Sequence, residues 1–177
     1  DDRELDLVAD SGAVVVHCPV SNMYLASGIP AVCQMLGRGI PVALGTDGDG
    51  SQNSQDMLES LKIASLLAKV STCDANAVLP LDLLRMATVD GAKLFGRDDI
   101  GRIVPGARAD LTLVDLNNAR SMPVHRPESA LVYNASGADV HTVLVDGRIL
   151  LDAGQVTILD EAALLEACRQ AARDLLR

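Results

Sequence analysis

The sequence has few aromatic and few basic residues. Tryptophan is absent, two tyrosines and one phenylalanine are the whole aromatic content, and 15 Lys and Arg stand against 24 Asp and Glu, which leaves a net charge of −9. A surface with this excess of carboxylates repels phosphate backbones and anionic lipids. So few aromatic rings also supply little for stacking on bases. We therefore expect no nucleic-acid partner and no membrane partner.

Long apolar runs and paired cysteines are missing as well. No run approaches the roughly 18 residues that a membrane span requires, and the segment that begins at Asp1 lacks the basic and apolar regions of a secretory signal. The four cysteines are scattered, with no C-x-x-C pair. Unpaired thiols are typical of a reducing compartment, so we expect a cytoplasmic protein.

Short apolar strands alternate with helices in the first half of the chain. The apolar runs Ala13–His17 and Pro41–Gly45 predict strands that are buried on both faces. Residues with helical spacing follow each run, and no hairpin signal lies between the two. This order of strand, helix, strand and helix predicts βα units and a parallel sheet. The helices are predicted over Glu4–Asp10, Ile29–Gly39, Asp56–Lys69 and Leu81–Leu94.

The pattern changes after Gly96, where glycine and proline punctuate closely spaced strands. The pair Asp146-Gly147 predicts a two-residue hairpin turn. Asp160 is placed to cap a final helix that runs to Leu176. The strands of this half are predicted over Leu111–Leu116, Ser129–Asn134 and Val140–Leu151.

Polar side chains follow both strands of the first half. His17 ends the first strand, and Asp47 comes just after the second. Because the carboxyl ends of parallel strands meet at one edge of a sheet, we expect these two side chains to face one cleft. A carboxylate at the mouth of a core needs a metal ion or a buried basic group as its partner. The alternatives are an Asx turn at Asp47 and a core position for His17.

Histidine is too scarce here for a complete zinc site. Catalytic zinc sites use three protein ligands, and the chain has only His17, His125 and His141. The last two lie in the second half, with no spacing that brings them to Asp47. If Asp47 binds a metal ion, most of the other ligands lie outside these residues. A helical pattern at the start with no strand before it also predicts that the chain is part of something longer.

Several short motifs stand in order along nearly the whole chain. They are His17-Cys18-Pro19-Val20-Ser21-Asn22, Ala26-Ser27-Gly28, Gly45-Thr46-Asp47-Gly48, Asn53-Ser54, Ala87-Thr88, Gly91-Ala92-Lys93, Ile100-Gly101-Arg102-Ile103, Ala109-Asp110-Leu111 and Val143-Leu144-Val145-Asp146-Gly147. As a set they resemble the amidohydrolase superfamily, in its cytosine/guanine-deaminase-like branch. That branch includes the adenosylhomocysteine/methylthioadenosine deaminases, guanine deaminase and the triazine hydrolases.

The resemblance implies an α/β fold, namely the C-terminal part of a metal-dependent (β/α)8 barrel followed by part of a flanking β-sandwich. The chain would begin after the sixth barrel strand, with His17 at the end of the seventh strand and Asp47 at the end of the eighth. It implies three divisions: the last βα units of the barrel at residues 1–96, β-sandwich strands at 97–159 and a C-terminal helix at 160–177.

The resemblance also implies an activity, that of a metal-dependent aminohydrolase acting on C–N bonds of a nucleobase-like or other N-heterocyclic substrate. Asp47 would bind the ion and accept a proton from the attacking water. The cofactor would be a divalent metal, with zinc as the first choice and iron as the alternative. The residues that would bind substrate or support the site are His17, Ser21, Asn22, Asn53 and Ser54.

Two other functions stay open at this point. One is a hydrolase of the same superfamily that releases chloride or opens a cyclic amide. The other is a non-catalytic, truncated structural module. The expected partners are a small heterocyclic substrate and further copies of the chain in a homo-oligomer, because two parallel strands leave edges and helix faces uncovered.

Overall fold

The computed structural model describes residues 1–175 and shows a mixed α/β chain. The first half contains two short parallel strands and the helices around them. Its elements are α1 (Asp2–Ser11), β1 (Val15–His17), α2 (Pro19–Tyr24), α3 (Val32–Gly37), β2 (Val42–Leu44), α4 (Asp49–Gln52), α5 (Met57–Thr72), α6 (Pro80–Met86) and α7 (Val89–Lys93). The predicted helix over Leu81–Leu94 is therefore two helices, and the predicted loop after β2 contains α4.

The second half carries an antiparallel sheet of four strands, β3 (Leu111–Val114), β4 (Val140–Val145), β5 (Arg148–Asp152) and β6 (Gln155–Val156), which are paired in that order. Asp146 and Gly147 both have positive φ, 50° and 77°, as a type I′ hairpin turn between β4 and β5 requires. The predicted turn is thus confirmed. The helical elements of this half are α8 (Pro127–Tyr133), a 3-10 turn (Gly137–Asp139) and α9 (Glu161–Leu175).

The predicted parallel pair is confirmed, but its burial is uneven. β1 runs parallel to β2, with Val15 opposite Val42 and His17 opposite Leu44. All three residues of β2 are buried, whereas Val16 in the middle of β1 is 48% exposed. The expectation that both strands are buried on both faces is therefore wrong for β1. One face of β1 lacks a covering layer in the part of the chain that the structure describes.

The core lies between β2 and the helices α5, α6 and α8. Its most deeply buried side chains are Val42, Leu61, Leu83, Met86 and Val132, each at most 2% exposed. Asp56 starts α5 by accepting hydrogen bonds from the amides of the two residues at positions 58 and 59. Such a cap satisfies amides that the first turn of a helix leaves unpaired. The long central helix is thus defined by a local cap as well as by its apolar face.

The predicted strand Ser129–Asn134 is instead part of helix α8, which ends at Tyr133. Ala130 and Val132 are both buried, and apolar residues at alternate positions are also the pattern of a strand. Pro127, however, occupies the first turn of α8, where its fixed φ favours a helix and its missing amide hydrogen costs nothing. Short apolar segments cannot be assigned from periodicity alone. Packing against α5 and α6 decides the matter here.

Helix α9 lies on the surface along its described length. The Asp160 carboxylate accepts a hydrogen bond from the Ala163 amide, so the predicted cap is confirmed. The predicted end of this helix at Leu176 lies outside the described residues. None of the described helices is long and apolar enough to cross a membrane.

A partly buried polar cluster attaches α8 to α5. The Tyr133 hydroxyl lies 2.8 Å from Ser65 Oγ and accepts a hydrogen bond from Lys69 Nζ at 2.6 Å. Burial opposes ionisation of Tyr133, but the hydrogen bonds from Lys69 and Ser65 outweigh it and lower the pKa of the phenol. Ser65 is fully buried, so its hydroxyl depends on this partner.

Replacing Tyr133 with phenylalanine should therefore destabilise the chain. We expect Tyr133→Phe to lower the free energy of unfolding by about 1–2 kcal/mol, because a buried hydroxyl and an ammonium both lose their partner. Urea denaturation measures this loss. Tyr24→Phe is the matched control, since Tyr24 is 61% exposed, and it should change the free energy by less than about 0.5 kcal/mol. Equal effects of the two variants would contradict a stabilising role for the cluster.

Candidate active site

Polar segments leave β1 and β2 at the same edge of the parallel pair. The Gly45 amide donates a hydrogen bond to the His17 carbonyl at 2.9 Å, just beyond the paired residues His17 and Leu44. The segments that follow the two strands therefore start side by side. This part of the expectation for His17 and Asp47 is confirmed.

The side chains at this edge nevertheless point to two different faces. His17 pairs with Leu44, which belongs to the core, and His17 is itself only 4% exposed. A Cβ atom on Gly45 would lie 2.9 Å from Val16 Cγ1 and 3.0 Å from Cys18 Sγ. Since side chains alternate along a strand, Val16, Cys18 and Gly45 share the face opposite His17. The expectation that His17 faces a common cleft with Asp47 is wrong.

His17 lies on the helix side of the parallel pair. It lines a cavity of about 380 Å³ together with residues of α3 and α5, among them Val32 and Leu67. Its Nδ1 atom is buried and has no hydrogen-bond partner among the described residues. Burial lowers the pKa of His17 to about 4, so the imidazole is neutral at pH 7. The alternative interpretation of a core histidine fits this environment.

Asp47 carries the exposed carboxylate of the site. Its Oδ2 accepts a hydrogen bond from Ser21 Oγ at 2.6 Å, and its Oδ1 accepts one from the Gly48 amide at 2.8 Å. The Ser21 hydroxyl, the Gly48 amide and the Ser51 hydroxyl lower the pKa of this carboxyl, which is therefore ionised at neutral pH. Hydrogen-bond donors hold the charge here. No salt bridge to Asp47 is found within residues 1–175.

The backbone around Asp47 turns sharply. Asp47, two residues before the short helix α4, and Asn53, directly after it, both have φ of +65°. Aspartate and asparagine tolerate this left-handed region better than most residues, yet it remains uncommon outside turns and functional sites. Ser21 meets Asp47 because α2 begins immediately after β1 and brings its first turn to the end of β2.

The other predicted site residues have local contacts. Asn22 is half-buried in α2, and its backbone N–H donates a hydrogen bond to the Cys18 carbonyl. Asn53 is exposed and ends α4, while Ser54 Oγ accepts a hydrogen bond from the Asp56 amide at 3.2 Å. Of the predicted supporting residues, Ser21 is the one whose contact with Asp47 the structure records.

Cys18 is a neighbour of Asp47 that the sequence analysis did not select. Burial and then the charge of Asp47 raise the pKa of its thiol, so the thiol stays protonated near the carboxylate. The sequence contains a signal for this position of Cys18. Side chains alternate along a strand, so Cys18 lies on the same face as Val16 and on the face opposite His17.

The described residues do not complete a metal site. Nowhere in residues 1–175 do three or more His, Cys, Asp or Glu side chains gather as a group that could hold a metal ion. The free lone pairs of the Asp47 carboxylate make it suitable as one oxygen ligand. A catalytic zinc ion takes three protein ligands, so Asp47 could supply only part of the coordination.

Comparison with known proteins identifies the family. The model of the amidohydrolase family matches residues 1–150. The chain belongs to the amidohydrolase family. This amidohydrolase chain is 44% identical, over 175 residues, to the 5'-deoxyadenosine deaminase of Methanopyrus kandleri. It is 44% identical, over 174 residues, to the 5-methylthioadenosine/S-adenosylhomocysteine deaminase of Pelotomaculum thermopropionicum.

Solved structures of two enzymes share the fold. An adenosine deaminase from Xanthomonas campestris with bound zinc superposes with a TM-score of 0.93 at 38% identity, over 96% of this chain and 39% of that one. The atrazine chlorohydrolase of Arthrobacter aurescens, complexed with zinc, superposes with a TM-score of 0.87 at 26% identity, over 94% and 37% of the two chains. The alignments with the two deaminases named above include 98–99% of this chain but only 40–41% of each deaminase.

The side chains of Val16 and Cys18 leave no room for a methyl group at Gly45. We expect Gly45→Ala to lower the free energy of unfolding by about 1–3 kcal/mol, because the new Cβ meets Val16 and Cys18 at distances that require movement. Denaturation with urea measures the loss. Gly50→Ala is the matched control, as a Cβ on Gly50 meets nothing within 4 Å.

A second change tests the cause of that loss. In a Val16→Ala background, Gly45→Ala should cost clearly less, because one of the two clashing groups is gone. If the cost stays the same in both backgrounds, contact with Val16 is not its cause.

The neutral state of His17 predicts a loss of stability in acid. The pKa of His17 is about 4 in the folded chain against 6.5 for the free side chain. Between these values the unfolded chain binds a proton that the folded chain does not, so the free energy of unfolding falls as the pH falls from about 6.5 to 4. The full difference between the two pKa values corresponds to a loss of about 3 kcal/mol in the free energy of unfolding.

Urea denaturation at several pH values measures this slope. His17→Gln should flatten it between pH 6.5 and 4.5, whereas Gln155→Asn, an exposed change that removes no titratable group, should leave it unchanged. An unaltered slope in His17→Gln would contradict burial of the neutral imidazole as the cause.

Proposed function

We propose that this chain is the C-terminal part of a metal-dependent (β/α)8 aminohydrolase. Residues 1–96 would supply the last two βα units of the barrel, residues 97–159 strands of a flanking sandwich, and residues 160–177 a C-terminal helix. The parallel pair β1-β2, the separate antiparallel sheet and the 40–41% coverage of the two deaminases support this division. The exposed face of β1 at Val16 is the face that further barrel strands and their side chains would enclose.

The proposed substrate is an adenosine with a modified 5' position. The two deaminases that are 44% identical over nearly the whole chain are named for 5'-deoxyadenosine and for 5-methylthioadenosine/S-adenosylhomocysteine. The reaction would replace the exocyclic amine of the purine ring with oxygen from water and release ammonia. The likeness to the atrazine chlorohydrolase is weaker, at 26% identity, so chloride release is the less favoured activity.

The observation that carries the proposal is the Asp47 carboxylate, ionised and exposed at the end of a parallel strand. A divalent ion held there, zinc or alternatively iron, would supply Lewis-acid activation of water near neutral pH. Asp47 would be one ligand of the ion and would accept the water proton at a carboxylate oxygen. The remaining ligands would come from residues outside this chain.

The neighbours of Asp47 would have supporting tasks. Ser21 would orient the carboxylate through its 2.6 Å hydrogen bond. Asn22, Asn53 and Ser54 would line the substrate pocket at the same edge. His17, on the opposite face, would support the strand end by packing and would not contact the substrate.

The proposed setting is a homo-oligomer in the cytoplasm with a small heterocyclic substrate. Large apolar side chains are exposed, including Phe95 at 73% and Ile103 at 87%. Exposed apolar surface of this kind is typical of faces that another segment or another copy covers. Light scattering on the full-length protein would show a monodisperse species larger than one chain, and a stable monomer would contradict this part of the proposal.

Ammonia release tests the activity. The full-length protein that contains this chain should release ammonia from 5'-deoxyadenosine and lose that activity on chelation. Residues 1–177 alone should not, because they bring one metal ligand where three are needed. A hybrid in which this chain replaces the matching segment of the Methanopyrus kandleri deaminase should also be active. A folded, zinc-loaded hybrid without turnover would favour the non-catalytic module, and metal-dependent turnover by residues 1–177 alone would refute the need for other ligands.

The central residue has its own test. Asp47→Asn in the full-length protein keeps the shape but removes the charge that holds the ion and accepts the proton. We expect kcat to fall by about 10²–10⁴-fold, with further loss if the metal content measured by elemental analysis falls too. Asp98→Asn, at an exposed position, is the control and should leave kcat unchanged. Near-normal turnover in Asp47→Asn would show that the proton acceptor lies elsewhere.

A further inference from the structure

One amide side chain closes the loop between β2 and α5. Gln55 Nε2 donates to the main-chain oxygen of Asp47 at 3.1 Å and to Asp49 Oδ1 at 2.7 Å. Gln55 Oε1 accepts a hydrogen bond from Thr46 Oγ1 at 2.7 Å. A glutamine amide has two N–H donors and one carbonyl acceptor. Both donors and the acceptor are thus committed to Asp47 and to residues on either side of it.

The residue at the centre of this network has an uncommon backbone. Asp47 has φ of +65°, and a non-glycine residue persists in that region only when its surroundings hold it there. The turn places the Asp47 carboxylate within reach of Ser21 Oγ and of the Gly48 amide. The carboxylate is therefore held by Ser21 on one side, and the carbonyl of the same residue is held by Gln55 on the other.

We propose that Gln55 is a positioning residue that holds the left-handed backbone of Asp47 and thereby aims its carboxylate. Its effect on turnover rests on the proposed function, whereas its effect on the loop rests on the hydrogen bonds alone. Ser21 acts on the carboxylate directly, but Gln55 acts on the peptide that carries it. Single exposed hydrogen bonds are weak because water competes for both partners. Here one side chain donates hydrogen bonds to Asp47 and Asp49 and accepts one from Thr46, so that the three bonds restrain the loop together.

Gln55→Met tests this role, because it keeps the length of the side chain and removes every one of these hydrogen bonds. Gln155→Met is the matched control, as Gln155 lies exposed in β6. Both are made in the full-length protein that contains this chain. Hydrogen exchange followed by mass spectrometry reports on residues 46–49, and steady-state kinetics with 5'-deoxyadenosine reports on turnover.

We expect faster exchange at residues 46–49 in Gln55→Met and no change in the control. We expect kcat to fall by roughly 10–100-fold, the range for residues that orient a catalytic group, while KM stays within about twofold. Gln55→Glu is a second variant that keeps an acceptor for Thr46 but loses the bond to the Asp47 carbonyl. It should accelerate exchange as Gln55→Met does, which keeps the test valid if the methionine variant folds poorly.

The possible outcomes separate the two proposals. Normal exchange and normal kcat in both Gln55 variants would overturn the positioning role, and so would a rise in KM at constant kcat, which would make Gln55 a substrate contact. If the wild-type protein releases no ammonia, the proposed function fails. Faster exchange in the variants would then still support the hold on the Asp47 backbone, and unchanged exchange would overturn it.

Discussion

The site depends on the parallel register of β1 and β2. The pairing of His17 with Leu44, continued by the hydrogen bond from the Gly45 amide to the His17 carbonyl, decides which residues share a face. Because the side-chain period of a strand is two, a shift by one residue would exchange the two faces. The observed register buries the imidazole among helices and leaves Cys18 on the face beside Asp47. His17 and Asp47, which follow similar strands, therefore lie in opposite environments: His17 is buried and Asp47 is exposed.

These environments set the charge of each group. His17 is buried without a hydrogen-bond partner for Nδ1 among the described residues, so the neutral form is favoured. Asp47 is exposed and surrounded by donors, so the charged form is favoured. An ionised carboxylate with free lone pairs is suited to both metal binding and proton transfer. A buried neutral imidazole is suited to packing. The two strand ends at this edge thus carry an exposed charged group and a buried neutral one.

Hydrogen bonds to α5 connect the second half of the chain to the segment that follows β2. Asp56 caps α5 through Oδ1, and its Oδ2 accepts a hydrogen bond from the Gly137 amide at 2.7 Å. The start of α5, directly after Gln55, is therefore tied to the turn before β4. Tyr133 ties α8 to the same helix further along. In an amidohydrolase chain that covers about 40% of its deaminase relatives, these ties connect the loop that carries Asp47 to the second half.

The sequence alone determined the features that depend on neighbouring residues. The Asp146-Gly147 turn, the cap of α9 at Asp160 and the parallel βα order all follow from local conformational preference and periodicity. Tertiary structure decided the rest, because it depends on contacts between distant segments. Packing on α5 and α6 makes α8 a helix despite the strand-like alternation of Ala130 and Val132. The pairing of β1 with β2 sends His17 to the core, and only folding brings Ser21 within 2.6 Å of Asp47.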